Sequence, residues 1–535
     1  MLRVALVLTF GFLCPVDGAD WHPFAITGDA VYSAGHGERL RAAKTRYGLS
    51  LHPIVDRAIA VRPSLFQVPN NLKTESGVAY FIHAKSLKVL MCNFIRLPDD
   101  SAVDIAVKSF ASSRGPKSVV TGTGGKLRIQ TPDYEPVPGA TLSVGDKYVL
   151  HSGSVVLASS DRAVWDFPLD EVDRMARRVR GRASFLLTRL DRIPPAYRVA
   201  VLNAVSLRQN VSLQPRDGEA EDAYASRKRA GEGIVDALRL FADGVEEVEY
   251  GTTIGDSGEL NLVARVRLKE RSLLLRRLSA MKPTGRKLAL LGTDAMCLSA
   301  TGSISCRLPT AATQFLSAFL KSRLPASSHR DLAEILNSAV GEKVNIVFGV
   351  GQVAGSDGLT SVGAWRTKSG SAGLQVPESL GGLRLWADLK NDVRFLRASL
   401  SELPGDADDV LPSVTTARRP EPGVFAEARV SFGSVDALQG FERLLDRVMS
   451  LQQLARLPDG LLPGKLPEHG FTSLASKVGA PERFTEPSWR ADATVRQVGR
   501  SLESRISVGA DLYTLYLART LMSKSRINVV YENRK

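Results

Sequence analysis

Ser279-Ala280-Met281-Lys282 places a lysine one helical turn from a serine, the spacing in which the amine lowers the cost of deprotonating the hydroxyl for acyl transfer. A second serine, in Gly255-Asp256-Ser257-Gly258, has the local sequence of an acyl-transfer nucleophile but needs a histidine base and an orienting aspartate. Two glycine-rich pieces invite a phosphate cradle: Gly349-x-Gly351-x-x-x-Gly355, and Gly122-Thr123-Gly124-Gly125-Lys126. The seven histidines are dispersed, with no pair at the i, i+4 spacing of a helical metal site. No metal and no cofactor is expected. The arginines Arg177, Arg178, Arg180 and Arg182 form the densest basic cluster, and Arg276, Arg277, Lys282, Arg286 and Lys287 form another.

Context weighs against each catalytic motif. Ser279-x-x-Lys282 resembles the signature of penicillin-binding proteins and serine β-lactamases, and Lys368-Ser369-Gly370 follows in the right order. Their middle Ser-x-Asn element is missing, however, and Pro283 ends the helix just beyond Ser279, where those enzymes start one. The Asp-Ser-Gly motif resembles that of trypsin-like proteases, but the Ala-Ala-His-Cys context is absent and Glu259 replaces the second glycine. It reads as a hairpin turn between YGTTI and LNLVARV. The glycine pieces lack a following helix or a Ser/Thr after the lysine, so both read as turns between strands. A serine acyl enzyme using Ser279, Lys282 and Lys368 is the alternative; the leading reading has no catalytic residue.

Seventy Lys and Arg stand against fifty-six Asp and Glu, a formal charge of +14, which favours anionic partners. The arginines Arg177, Arg178, Arg180, Arg182, Arg276 and Arg277 are the candidate anionic-surface residues. The first cluster also has a structural role: Asp170, Glu171 and Asp173 open a helix that arginines close, matching the helix macrodipole.

The opening MLRVALVLTFGFLCPVDGA, residues 1–19, has the layout of a secretory signal, with Arg3 before an apolar run and small residues before Asp20. The run is about half the ~20 residues that span a bilayer. Export to the periplasm or outside is expected, with no transmembrane segment in the mature chain and no nucleic-acid partner. Cys14 leaves with the signal. Cys92 reads as a buried strand residue. Cys297 and Cys306 flank Thr301-Gly302-Ser303, read as a turn that pairs two strands and makes the two cysteines a disulfide candidate.

The elements that must hold these residues are read from periodicity. Residues 20–160 form a β-rich N-terminal domain, with VAYFIHA, KVLMCNFIRL, KLRIQT and a tight hairpin over Lys147–Ala158. Residues 161–290 form an α+β unit, with an apolar stripe Val172, Met175, Ala176, Val179 and another at Ile234, Leu238, Phe241 before Gly244. Residues 291–380 form a hairpin- and strand-rich connection holding VNIVFGV and a helix opening at Ser328-His329-Arg330-Asp331. Residues 381–535 form C-terminal α+β repeat units, including a helix over Val435–Val448.

A repeat joins these regions. EARVSFG (Glu427–Gly433) recurs as ESRISVG (Glu503–Gly509), and its core recurs at Ala264-Arg265-Val266. Trp165 and Trp386 each lie seven residues before a valine, Val172 and Val393. The arginine on each strand reads as solvated. The chain resembles uncharacterised exported bacterial proteins built from repeated strand–helix units, a resemblance that implies no activity. The expected fold is α+β: mixed or antiparallel sheets with packed helices in repeated strand–helix units. The expected function is a non-enzymatic binding or structural role at the cell envelope.

Overall fold

The computed structural model describes residues 20–29, 75–114, 118–130, 146–215, 221–255, 258–280, 287–291, 296–304, 346–353, 359–366, 379–380, 383–390, 393–399, 413–417, 423–432 and 489–513. The expected signal segment, Lys282, Cys306, Lys368 and the helices expected at 328–341 and 435–448 lie outside them.

In chain order the first elements are β1 (Trp21–Asp29), β2 (Glu75–His83), β3 (Val89–Arg96), α1 (Val103–Arg114), β4 (Val119–Thr123), β5 (Lys126–Gln130), β6 (Lys147–Ser152), β7 (Val155–Ser159) and α2 (Leu169–Arg178). Next come β8 (Ser184–Arg189), α3 (Pro195–Ser212), α4 (Glu221–Gly244), β9 (Val245–Ile254), β10 (Leu260–Leu268) and α5 (Leu273–Ala280). The remaining strands are β11 (Lys287–Leu291), β12 (Met296–Ile304), β13 (Ile346–Val353), β14 (Leu359–Arg366), β15 (Ser379–Leu380), β16 (Leu383–Lys390) and β17 (Val393–Ser399). They are followed by β18 (Ser413–Ala417), β19 (Val424–Phe432), β20 (Arg490–Val498) and β21 (Ser501–Val508).

Nineteen of these strands join one antiparallel sheet, and β11 pairs with β18 apart from it. From one edge the ladder runs β4, β5, β6, β7, β3, β2, β1, β8, β9, β10. It continues β21, β20, β19, β12, β13, β14, β17, β16, β15. The expected antiparallel sheet is thus present, and sheet dominates the described residues. Ladder bonds cross the expected boundaries at 160/161 and 290/291, because β1 pairs with β8 and β10 with β21.

The packed core lies around β1–β3 and β5–β7. Ala79, Phe81, Cys92, Phe94, Val155 and Leu157 point to one face, where α2 adds Leu169, Val172, Met175 and Ala176. Ile95, Val149, Val156 and Ala158 point to the other, where α1 adds Val103, Ala106, Val107 and Phe110. All of β7 is therefore buried, and its VVLAS sequence is almost continuously apolar as a strand covered on both faces must be. Along β1, a bulge between Pro23 and Ala25 shifts the register by one residue. Trp21 and Ile26, of opposite parity, consequently face the same core, while Phe24 and Ala25 join Ile82 and Tyr197 on the far side. Cys92 is buried, and desolvation pushes its thiol up to about 12 against a hydrogen bond with Ser159.

Several readings hold. The β6–β7 hairpin turns at Gly153, whose φ is 52°, and β9–β10 form the hairpin expected around Asp256-Ser257. Others need correction. Thr301-Gly302-Ser303 is not a turn: β12 runs straight through it, with Gly302 paired to Phe348 on β13 and Ala428 on β19. Cys297 therefore lies within a continuous strand, and Cys306 lies outside the described residues. Gly349 and Gly351 likewise lie inside β13 rather than in a turn. Ladder bonds on both sides hold these glycines extended, an arrangement that a composition-based turn reading misses. Leu238 and Phe241 on α4 are exposed, and buried Val235 marks the inward side instead. The tryptophan echo joins unlike elements, since Val172 sits in α2 and Val393 opens β17.

Phe185 packs closely against Gly28 of β1: a Cβ there would stand 2.4 Å from its ring and 2.6 Å from the Ser76 carbonyl oxygen. Gly28→Ala should therefore lower stability by about 1–3 kcal/mol, the cost of overpacking. Denaturant titration checks this, and an unchanged midpoint would show that the ring moves aside freely.

Candidate functional site

Beyond β8 the face covered by α2 changes character. One row of directly opposed residues reads Ile26, Leu187, Glu249, Arg265, Glu503, Arg496, Val424 across β1, β8, β9, β10, β21, β20 and β19. The row passes from apolar residues under α2 into alternating charge. Opposite charges directly facing each other on neighbouring strands stabilise the pairing, and like charges would oppose it.

Glu503, the fifth residue of the row, is 1% exposed, while Arg265, Arg496 and Arg505 around it are 43%, 33% and 53% exposed. Arg265 donates to Oε2 from Nη2 at 2.8 Å and from Nε at 3.3 Å. Arg496 donates to Oε1 from Nη2 at 2.7 Å and from Nε at 3.1 Å, and Arg505 Nε donates to the same oxygen at 2.6 Å. Burial alone would raise the carboxyl; the hydrogen bonds from Arg265, Arg496 and Arg505 outweigh it and hold Glu503 at about 2. Each strand supplies its part by period-2 alternation, which puts Glu503 and Arg505 of β21 on one face beside Arg265 and Arg496.

A second group closes the apolar end. Arg178, in the last turn of α2, forks onto Glu247 with two bonds of 2.6 Å and reaches Glu249 at 3.0 Å. Gly181, at φ 74°, turns the chain after α2, and Arg182 then pairs with Glu249. The Arg182 side chain lies over β9 at Gly251, where a Cβ would stand 2.4 Å from it. Hydrogen bonds to Glu247 hold the Arg178 guanidinium above its ordinary range. Desolvation pushes Glu249 up, and Arg182 and Arg178 more than reverse it. Farther along the sheet, Arg429 and Arg490 both bind Asp492, at 2.8 Å and 2.6 Å. Arg96 ties α2 to the sheet by bridging Asp173 at 2.9 Å and Glu75 at 3.1 Å.

The sequence-selected arginines therefore divide. Arg178 and Arg182 are engaged with Glu247 and Glu249, and Arg177 pairs with Asp173 at 2.6 Å. Among the described residues Arg180, Arg276 and Arg277 are exposed and make no ion pair. The strand arginines Arg265, Arg429 and Arg505, expected to be merely solvated, are each paired with a carboxylate. Periodicity within one strand gives the face but not the residue opposite. Ser279 is exposed near the end of α5, and its Oγ accepts from Gln497 Nε2 at 3.3 Å. Among the described residues no group of three His, Cys, Asp or Glu could hold a metal ion.

Glu503→Gln should cost about 3 kcal/mol at neutral pH, the lower end for breaking a buried ion pair, because the three guanidiniums reach solvent. Since the folded value is depressed from 4.5 to about 2, the carboxylate's contribution is complete above pH 4.5 and disappears as pH falls toward 2. Melting temperatures across that window should drop more steeply in the wild type than in Glu503→Gln. Parallel curves would assign the acid sensitivity elsewhere. At the other group, Gly251→Ala should lift Arg182 off β9 and lower the melting temperature; a stability equal to wild type would show that Arg182 adds nothing there.

Comparison with protein-family models, with curated proteins and with solved structures finds no match.

Proposed function

We propose that this chain is exported and acts at the cell envelope as a non-enzymatic binding or structural protein with a preference for anionic partners. The observation that carries the reading is the charge balance, +14 over the chain, combined with exposed arginines that no carboxylate neutralises among the described residues. Long-range attraction of this sign concentrates polyanions near the surface without requiring a catalytic cleft. The N-terminal apolar segment supports the compartment. No helix among the described residues is long and apolar enough to cross a membrane.

The repeat contributes the structural part of the proposal. The Ala-Arg-Val strands β10 and β19 and the related ESRISV strand β21 fall within a few ladder positions of each other, and β10 is followed by α5. This supports related strand–helix units laid side by side, with charged residues from several of them along one row of the sheet.

Mature protein should sediment with anionic vesicles or retain an anionic polymer at low ionic strength. Release is expected at about 1 M salt, where the screening length falls to about 3 Å. Absence of binding at low salt would reject the electrostatic preference. Fluorescent penicillin should leave the protein unlabelled, whereas labelling abolished by Ser279→Ala would establish the acyl-enzyme reading instead.

A further inference from the structure

We infer that the guanidiniums of Arg265, Arg496 and Arg505 form a binding site for a phosphate or sulfate group. The inference deepens the proposed anionic preference and rests on it, by naming the residues and the ligand chemistry.

Three guanidiniums share Glu503, and Glu249 opposite Arg265 and its neighbour Glu247 are matched by Arg178 and Arg182, so the row keeps a surplus of two positive charges. A guanidinium carries five N–H donors in a rigid fork. Arg265 and Arg496 each turn the Nε and Nη2 edge to Glu503, and Arg505 turns only Nε. Among the described residues the Nη1 groups of Arg265 and Arg496 and both Nη groups of Arg505 donate to no partner. These donors sit on side chains that are one-third to one-half exposed, while the carboxylate beneath them is sealed from water.

The buried glutamate acts as a fixed anchor. It holds the three long side chains in one place, so a ligand meets guanidiniums whose rotamers are already restricted. A carboxylate in the ligand satisfies one fork, but a tetrahedral oxyanion offers three or four oxygens to the donors that the three guanidiniums leave. Other exposed arginines lack this arrangement: Arg178 is committed as a bidentate fork, and Arg180, Arg276 and Arg277 have no anchor among the described residues. The flanking row adds no carboxylate at the positions directly opposite Arg505, which are Val263 and Thr494.

Calorimetric titration of the mature chain at low salt, with polyphosphate in one arm and dextran sulfate in the other, tests the site. Arg505→Gln is the informative variant, because Arg265 and Arg496 still bind Glu503 and the sheet keeps its node. Its affinity should fall by about tenfold or more, the loss expected for charge-assisted hydrogen bonds, with the fold retained and a melting temperature lowered by less than in Glu503→Gln. Arg276→Gln/Arg277→Gln, which removes two exposed charges but no anchored guanidinium, should weaken binding clearly less than Arg505→Gln does. Preference for one polymer identifies the group as phosphate or sulfate. Full binding by Arg505→Gln, or equal loss in the helical double variant, overturns the site while leaving the wider anionic preference standing. Wild-type protein that binds neither polymer overturns both.

Discussion

A carboxylate sealed from solvent and held by three arginines from three adjacent strands is the constraint on which the middle of this sheet depends. An isolated charge at 1% exposure would be neutralised by protonation, because desolvation disfavours the ionised form. Here the hydrogen bonds from Arg265, Arg496 and Arg505 reverse that preference and keep Glu503 ionised down to about pH 2. The node fixes register as well. A slip of β21 by one residue against β10 would turn Glu503 to the opposite face and leave Arg265 without its partner.

The same node closes the chain on itself. Arg265 and Glu503 are 238 positions apart, yet β10 and β21 are direct neighbours. The strands near the end of the described chain therefore complete an edge that β9 and β10 present, and β1 and β8 connect that edge to the packed core. Arg178 and Arg182 mark the junction. Their pairing with Glu247 and Glu249 caps the apolar face under α2, so that the sheet changes from a packed layer to a charged one without leaving buried carboxylates unpaired.

What the sequence revealed follows the range of the interactions involved. The α2 stripe, the β6–β7 turn at Gly153 and the β9–β10 hairpin are set by neighbours a few residues away, and periodicity found each. Glycines inside β12 and β13 imitated turns, because only pairing with distant strands shows that they are extended. The charged node was illegible for the same reason. Arg265 and Glu503 were both visible in the repeat, but nothing local places one opposite the other. Density of arginine along the chain drew attention to Arg177–Arg182, whereas convergence across strands selects Arg265, Arg496 and Arg505.

A double-mutant cycle between Arg496 and Glu503, read by denaturant unfolding, tests the account most directly. Each residue is replaced by glutamine, singly and together. Partners in one buried network should show a coupling of about 1–3 kcal/mol, so that the double variant loses clearly less than the two single losses added. Strictly additive losses would contradict the account, because they would show that Glu503 and its arginines stabilise the sheet independently.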